Sequence, residues 1–170
     1  ASGPERDAFN KKQWVDWVDL LTRNGTQQSH TASIQSGGDK TKVFFSTGYY
    51  KEEGALRGND MTRYNVRLNY DQRISNLFKA GLLTQITYQN ANVRTDPYQE
   101  ALSTIPLGTP YDSLGNIKPV ALDQSNVVNP LSDERPLAFK DNRLRTNLVA
   151  NGYIEITPFS GLSLRSNLGW

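Results

Sequence analysis

The side chains that could do chemistry in this chain are few, and they are not arranged for catalysis. The sequence contains one histidine and no cysteine, which excludes disulfides and leaves little for a transition-metal site. No Ser/His/Asp, Cys/His or phosphate-binding loop pattern occurs, so nothing predicts an enzyme or a cofactor. His30 falls on the apolar side of a predicted strand, where packing explains it better than catalysis or metal binding.

Aromatic side chains in the predicted loops could instead contact a ligand, because flat rings bury the apolar C–H surface of sugars. Four such residues are Trp14, Trp17, Tyr98 and Tyr111. Packing of one loop segment against another is the alternative for each of them. We treat them as candidate contacts to a substrate or partner.

Asp112 joins these candidates, since it precedes Gly115 and Asn116 in the same long loop. Carboxylates and carbonyls can ligate Ca²⁺, but such sites need several carboxylates. A single carboxylate in this pattern is more typical of a hairpin turn with glycine at positive φ. We therefore predict no metal site.

Strands must position these loops, and the clearest pattern lies at residues 61–73. Side chains on a strand alternate between its two faces. The apolar face carries Tyr64, Val66, Leu68 and Tyr70, and the polar face carries Arg63, Asn65, Arg67 and Asn69. The same alternation recurs in later segments, with Leu82, Ile86, Leu148 and Leu164 on apolar faces and Arg145, Asn147 and Arg165 on polar ones.

The organisation predicted along the chain is all-β, with about six antiparallel strands. Residues 1–27 form a loop with a short helix at 14–21, where apolar residues recur at helical spacing. Residues 28–90 hold four strands, and residues 143–170 hold two more, the last one cut short. Residues 91–142 contain six of the eight prolines, which predicts a long loop with at most short elements.

Connection length alternates between short and long, which is typical of outer-membrane barrels with short turns on one side and long loops on the other. The aromatics agree, since Tyr49, Tyr50, Tyr64 and Tyr88 lie at strand ends next to long connections, and Phe78 and Phe159 lie at short turns. The tyrosines at one end of the strands and the phenylalanines at the other are typical of the two aromatic girdles at membrane–water interfaces.

Composition is compatible with this architecture. The mean hydropathy of −0.61 and the lack of a run of about 20 apolar residues exclude a helical membrane protein but not a barrel. The net charge of +2 is too small to argue for a nucleic-acid partner. A soluble β-sandwich that binds carbohydrate, with its polar face in water, remains the alternative.

Several motifs also occur in a fixed order. They are the helix at 14–21, HTASIQSGGDKTK at 30–42 continued by FFSTGY at 44–49, EEGALRGND at 52–60 with RYNVRLN at 63–69, PYDSLGNI at 110–117, NPL at 129–131, NRL at 142–144 and GLSLR at 161–165. As an ordered set covering essentially the whole chain, they resemble the SusC/RagA-like TonB-dependent outer-membrane transporters of the Bacteroidetes.

The resemblance implies a segment of a transmembrane β-barrel of about 22 strands with a plug. It further implies import of oligosaccharides or peptides together with a SusD-like surface lipoprotein, energised by TonB through an N-terminal part that this chain lacks. The apolar faces would then contact outer-membrane lipid and the polar faces the lumen or plug. About six strands cannot close a barrel, and open edges are not tolerated in lipid. We therefore expect the functional protein to contain more polypeptide.

Overall fold

The computed structural model describes residues 3–122, 126–138 and 141–170. Within these residues the strands form one six-stranded antiparallel sheet in the order β1-β2-β3-β4-β5-β6. Every strand thus pairs with its neighbour in sequence, as in a meander of hairpins. The described strands thus form a single sheet and not the two packed sheets of a sandwich.

The elements have the following bounds. The strands are β1 (Thr26–Gly37), β2 (Thr41–Glu53), β3 (Asp60–Arg73), β4 (Phe78–Val93), β5 (Asp141–Phe159) and β6 (Leu162–Gly169); the helices are α1 (Pro4–Asn10), α2 (Trp17–Leu21) and α3 (Tyr98–Ser103), with one 3₁₀ turn at Ser132–Glu134. Most of the strands are far longer than the usual 5–6 residues of globular sheets.

Two compact units divide the chain. One consists of Gln27–Glu52, Met61–Ala91 and Arg143–Trp170 and holds most of the sheet. The other consists of Ala1–Thr26, Glu53–Asp60 and Asn92–Asn142, which are the long connections and the N-terminal helices. We call them the sheet unit and the loop unit.

Short turns close the hairpins of the sheet unit by local hydrogen bonds. Between β1 and β2 the Gly38 amide donates to the Thr41 carbonyl at 2.8 Å. Between β3 and β4 the Ser75 hydroxyl accepts from the amides of Leu77 and Phe78, both at 3.1 Å. Gly161, between β5 and β6, has φ +93°, which a residue with a Cβ adopts only with strain.

The loop unit has its own small apolar core, and five hydrophobic residues are buried there: Trp17, Leu21, Ala101, Ala121 and Leu131. These residues come from α2, α3 and the long connection after α3. The sheet unit contributes none of the buried hydrophobic residues of the described chain. Full burial of hydrophobic side chains among the described residues is therefore confined to the loop unit.

The structure departs from the sequence prediction in three local respects. Helix α1 was not predicted, and helix α2 begins at Trp17, so Trp14 lies before it. Tyr50 lies on the polar face of β2, beside Arg63, and does not join the other strand-end tyrosines.

No described helix has the length and apolar character needed to cross a membrane.

Candidate functional surfaces

All of the side chains predicted to lie on the apolar face of the sheet are exposed in this structure. The eight residues predicted to face lipid are between 37% and 57% exposed: Tyr64, Val66, Leu68, Tyr70, Leu82, Ile86, Leu148 and Leu164. Scattered exposed apolar residues are normal, but large contiguous apolar surface marks contact with a partner or a membrane. This face therefore requires a covering that the described chain does not supply.

A row of aromatic rings crosses this face near the strand ends that lead to the long connections. His30 stacks on Tyr49 with ring centroids 6.2 Å apart. Tyr49 contacts Tyr64 at 5.3 Å, and Tyr64 contacts Tyr88 at 6.4 Å. The row runs over β1 to β4, and such amphipathic rings are typical of a membrane–water boundary. The prediction that His30 packs on the apolar side is confirmed.

The opposite face is polar, and contacts between neighbouring strands confirm the predicted alternation on β3. Arg63 lies over the Tyr50 ring at 5.0 Å, and Arg67 lies over the Phe44 ring at 5.9 Å. Thr87 donates to Asn65 Oδ1 at 3.1 Å. The Nε of Arg67 donates to Asn69 Oδ1 at 3.3 Å.

A second polar cluster lies toward the short turns. Lys79 and Glu155 form an ion pair of 2.8 Å, and Arg165 lies 3.9 Å from the other Glu155 oxygen. Arg165 also lies over the Tyr153 ring at 3.6 Å, and the Tyr153 hydroxyl donates to Asp71. Since Tyr153 and Glu155 share this face, strand alternation puts Arg145 and Asn147 on it and Leu148 on the other.

Gly81 gives this cluster its close packing. A Cβ at this position would overlap the Tyr153 ring and lie 2.7 Å from Asp71 Oδ1. We expect Gly81→Ala to push the ring out of its place beside Arg165 and to break its hydrogen bond to Asp71. Overpacking of this kind costs about 1–3 kcal/mol, measured as the unfolding free energy of the full-length protein in detergent.

Gly152 is the matched control, because a Cβ there would meet no atom closer than the Gly81 carbonyl oxygen at 3.9 Å. We expect Gly152→Ala to be nearly neutral. In a Tyr153→Ala background the cost of Gly81→Ala should also largely disappear. A full cost that persists in that background would contradict the assigned contact.

The two tryptophans of the loop unit have different environments. Trp17 is 3% exposed, and its indole N–H donates to the Ile105 carbonyl at 2.9 Å. Trp17 thus belongs to the core, so we withdraw it as a ligand contact. Trp14 is 57% exposed and meets Phe9 edge-to-face at 6.0 Å. Trp14 keeps a free face, as a stacking residue requires.

Tyr98 and Tyr111 are both exposed, whereas Asp112 is engaged in a turn. Its Oδ1 accepts from the amides of Leu114 and Asn116, each at 2.8 Å, and its Oδ2 from the Asn116 side chain at 3.1 Å. The Asn116 backbone amide, followed by its side-chain amide, lowers the pKa of the Asp112 carboxyl. The turn explanation of this motif is confirmed. No metal-binding cluster of His, Cys, Asp or Glu occurs among the described residues.

Asn129 was not among the predicted candidates, although the long loop depends on it. It is fully buried, and its amide nitrogen donates to the carbonyls of Pro110 and Lys118 at 3.0 and 2.8 Å. Its side-chain oxygen accepts from the Leu131 amide at 3.0 Å. The NPL motif carries this residue, but only the contacts between distant segments show its role.

Arg94 was missed for the same reason. Its guanidinium is buried, pairs with Glu134 at 2.6 Å, and donates to the carbonyls of Arg57 and Pro130 at 3.2 and 2.9 Å. Such a buried arginine is stable only when paired and hydrogen-bonded. It holds three segments of the loop unit together.

The chain has relatives among known receptor proteins. No family model matches the chain. Two curated receptors of Formosa agariphila are each 25% identical to it: TonB-dependent receptor P26, matched over 89% of the chain, and TonB-dependent receptor P39, matched over 100%. The chain spans only 15% and 16% of their lengths.

Solved structures show the same fold. A structure of the RagAB peptide transporter matches 92% of the chain with a TM-score of 0.72 at 23% identity, and the RagAB peptide importer in its closed-closed state matches with 0.70 at 25%. In both cases the match covers 18% of the larger chain. The receptor relatives and the shared sheet support what the ordered motifs indicate, a β-barrel segment similar to those of SusC/RagA-like TonB-dependent transporters.

Proposed function

We propose that the chain forms part of the wall and outer loops of a nutrient importer in the bacterial outer membrane. The apolar face of the sheet contacts lipid, and the polar face borders the hydrated lumen or the plug. The long connections are extracellular, and the short turns are periplasmic. In this arrangement the importer depends on TonB and on a SusD-like surface lipoprotein.

The observation that carries this proposal is the exposed apolar face with its aromatic row. An open sheet that leaves eight large apolar residues more than a third exposed is unsuited to water. Bilayer contact accounts for both the apolar band and the tyrosines at its edge. The polar face, with its arginines and amides, suits a wet interior.

The substrate class is a peptide rather than an oligosaccharide. The solved structures with this sheet are described as a peptide transporter and a peptide importer, which supports the first class. Trp14, Tyr98 and Tyr111 remain candidate contacts to substrate or lipoprotein, since each has an exposed ring.

Growth and fractionation of a strain that lacks the full-length gene test the proposal. The strain, complemented with the wild-type gene, is grown with a defined peptide mixture or an oligosaccharide mixture as the limiting nutrient. We expect the uncomplemented strain to grow poorly on peptides alone, and the protein to require detergent for extraction from the outer membrane.

Two outcomes would contradict the proposal in separable ways. Recovery of the full-length protein in the aqueous phase without detergent contradicts the barrel role. Loss of growth on oligosaccharides with normal growth on peptides contradicts only the substrate class.

A further inference from the structure

A groove crosses the polar face in the half of the sheet toward the long connections. It has a volume of about 430 Å³ and runs over β1 to β4. Its walls carry hydroxyl, amide and guanidinium groups: Thr31, Ser46, Arg63, Asn65, Arg67 and Thr87. It contains donors in excess and no carboxylate.

The two arginines of the groove have no anionic partner among the described residues. Neither Arg63 nor Arg67 forms a salt bridge with a carboxylate in the part of the chain that the structure describes. Each lies instead over an aromatic ring. The Nε of Arg63 is buried and meets no hydrogen-bond acceptor from the described part of the chain, which is costly for a charged donor.

Gly48 leaves space between these groups. A Cβ there would lie 3.5 Å from Asn65 Nδ2 and 3.7 Å from Thr31 Oγ1, which is ordinary contact. Its φ is not in the left-handed region, so the backbone does not require glycine. The absence of a side chain therefore opens the floor of the groove between β1 and β3.

We propose that this groove binds a carboxylate of the imported peptide, either its C-terminus or an Asp or Glu side chain. A guanidinium recognises a carboxylate through paired charge-assisted hydrogen bonds, and Asn65 and the hydroxyls supply further donors. The proposal rests on the proposed function and adds a preference for acidic peptides.

Binding of two peptides to the purified full-length protein, in complex with its lipoprotein, tests the groove. The probes are an acidic peptide with a free C-terminus and its Gln/Asn counterpart with an amidated C-terminus, both of the same length. We expect Arg63→Gln/Arg67→Gln to raise the Kd of the acidic peptide about 10- to 100-fold, as expected for lost charged hydrogen bonds. The Kd of the neutral peptide should stay within about twofold, a difference of under 0.5 kcal/mol.

Arg145→Gln is the matched control, because it makes the same charge change on the same face of the sheet outside the groove. It should leave both Kd values unchanged. Gly48→Leu keeps both arginines and fills the floor, so it should also weaken binding of the acidic peptide without lowering the melting temperature.

The remaining outcomes each overturn a stated claim. Equal weakening for both peptides, or no weakening, contradicts the carboxylate site. A lower melting temperature with unchanged Kd shows that the arginines hold a carboxylate of the protein itself, such as one on the plug. Wild-type protein that binds both peptides equally contradicts this site alone, whereas wild-type protein that binds neither contradicts the proposed function as well.

Discussion

Leu68→Arg should destabilise the full-length protein by about 2–4 kcal/mol, which is the cost of a charge near the midplane on the lipid face of a barrel. Leu68 lies in the middle of β3, on the same face as the tyrosine row, and its side chain is exposed. In the barrel that we propose, this side chain contacts lipid, where a guanidinium loses its hydration. Denaturant unfolding in lipid or detergent measures the loss.

The neighbouring residue supplies the control. Asn69 lies on the polar face, where it accepts a hydrogen bond from Arg67. A charge there remains hydrated, so we expect Asn69→Arg to change stability by less than about 0.5 kcal/mol. Equal costs at the two positions would show that the faces are assigned wrongly. The reverse order would show that the sheet is turned inside out.

Trp17→Ala should be the most damaging truncation in the loop unit, at about 3–5 kcal/mol. The ring is packed so closely that a Cβ at Gly108 would lie 2.6 Å from its Cζ2. The substitution also leaves the Ile105 carbonyl without its indole donor. Amide exchange in α3 and in residues 107–122, followed by mass spectrometry of the full-length protein, should accelerate by a factor on the order of 10² or more.

Trp14→Ala tests the same residue type three positions earlier. Its side chain is largely in solvent, and its edge-to-face contact with Phe9 contributes about 0.5–1.5 kcal/mol. Exchange in α3 should therefore stay close to that of the wild type. If the two substitutions accelerated exchange equally, the buried position assigned to Trp17 would be in error.

The strands were predictable because their signal is local. A period of two along β3 separates Tyr64 from Arg63 whatever lies beside the strand, and the structure confirms this separation. Position at a strand end does not by itself place a tyrosine in the row, as Tyr50 shows. Its position at a strand end suggested the tyrosine row, but it is adjacent to Tyr49, and adjacent side chains on a strand point to opposite faces.

The loop unit was predictable only in outline. Its prolines indicate a long connection, but they do not indicate which segments meet. Asn129 bonds to carbonyls 11 and 19 residues away, and Arg94 reaches a carboxylate 40 residues away. Such contacts have no periodicity, so no pattern along the chain predicts them.

The sequence by itself determined the strand alternation, the unequal connections and the resemblance to a transporter family, because each depends on residues close together in the chain or on the order of motifs. Only the tertiary structure decided which groups meet across strands. Arg63 meets Tyr50 and Asn65 meets Thr87 because the register of β2, β3 and β4 brings them opposite each other. Register is a property of paired backbones, and one strand read alone does not contain it.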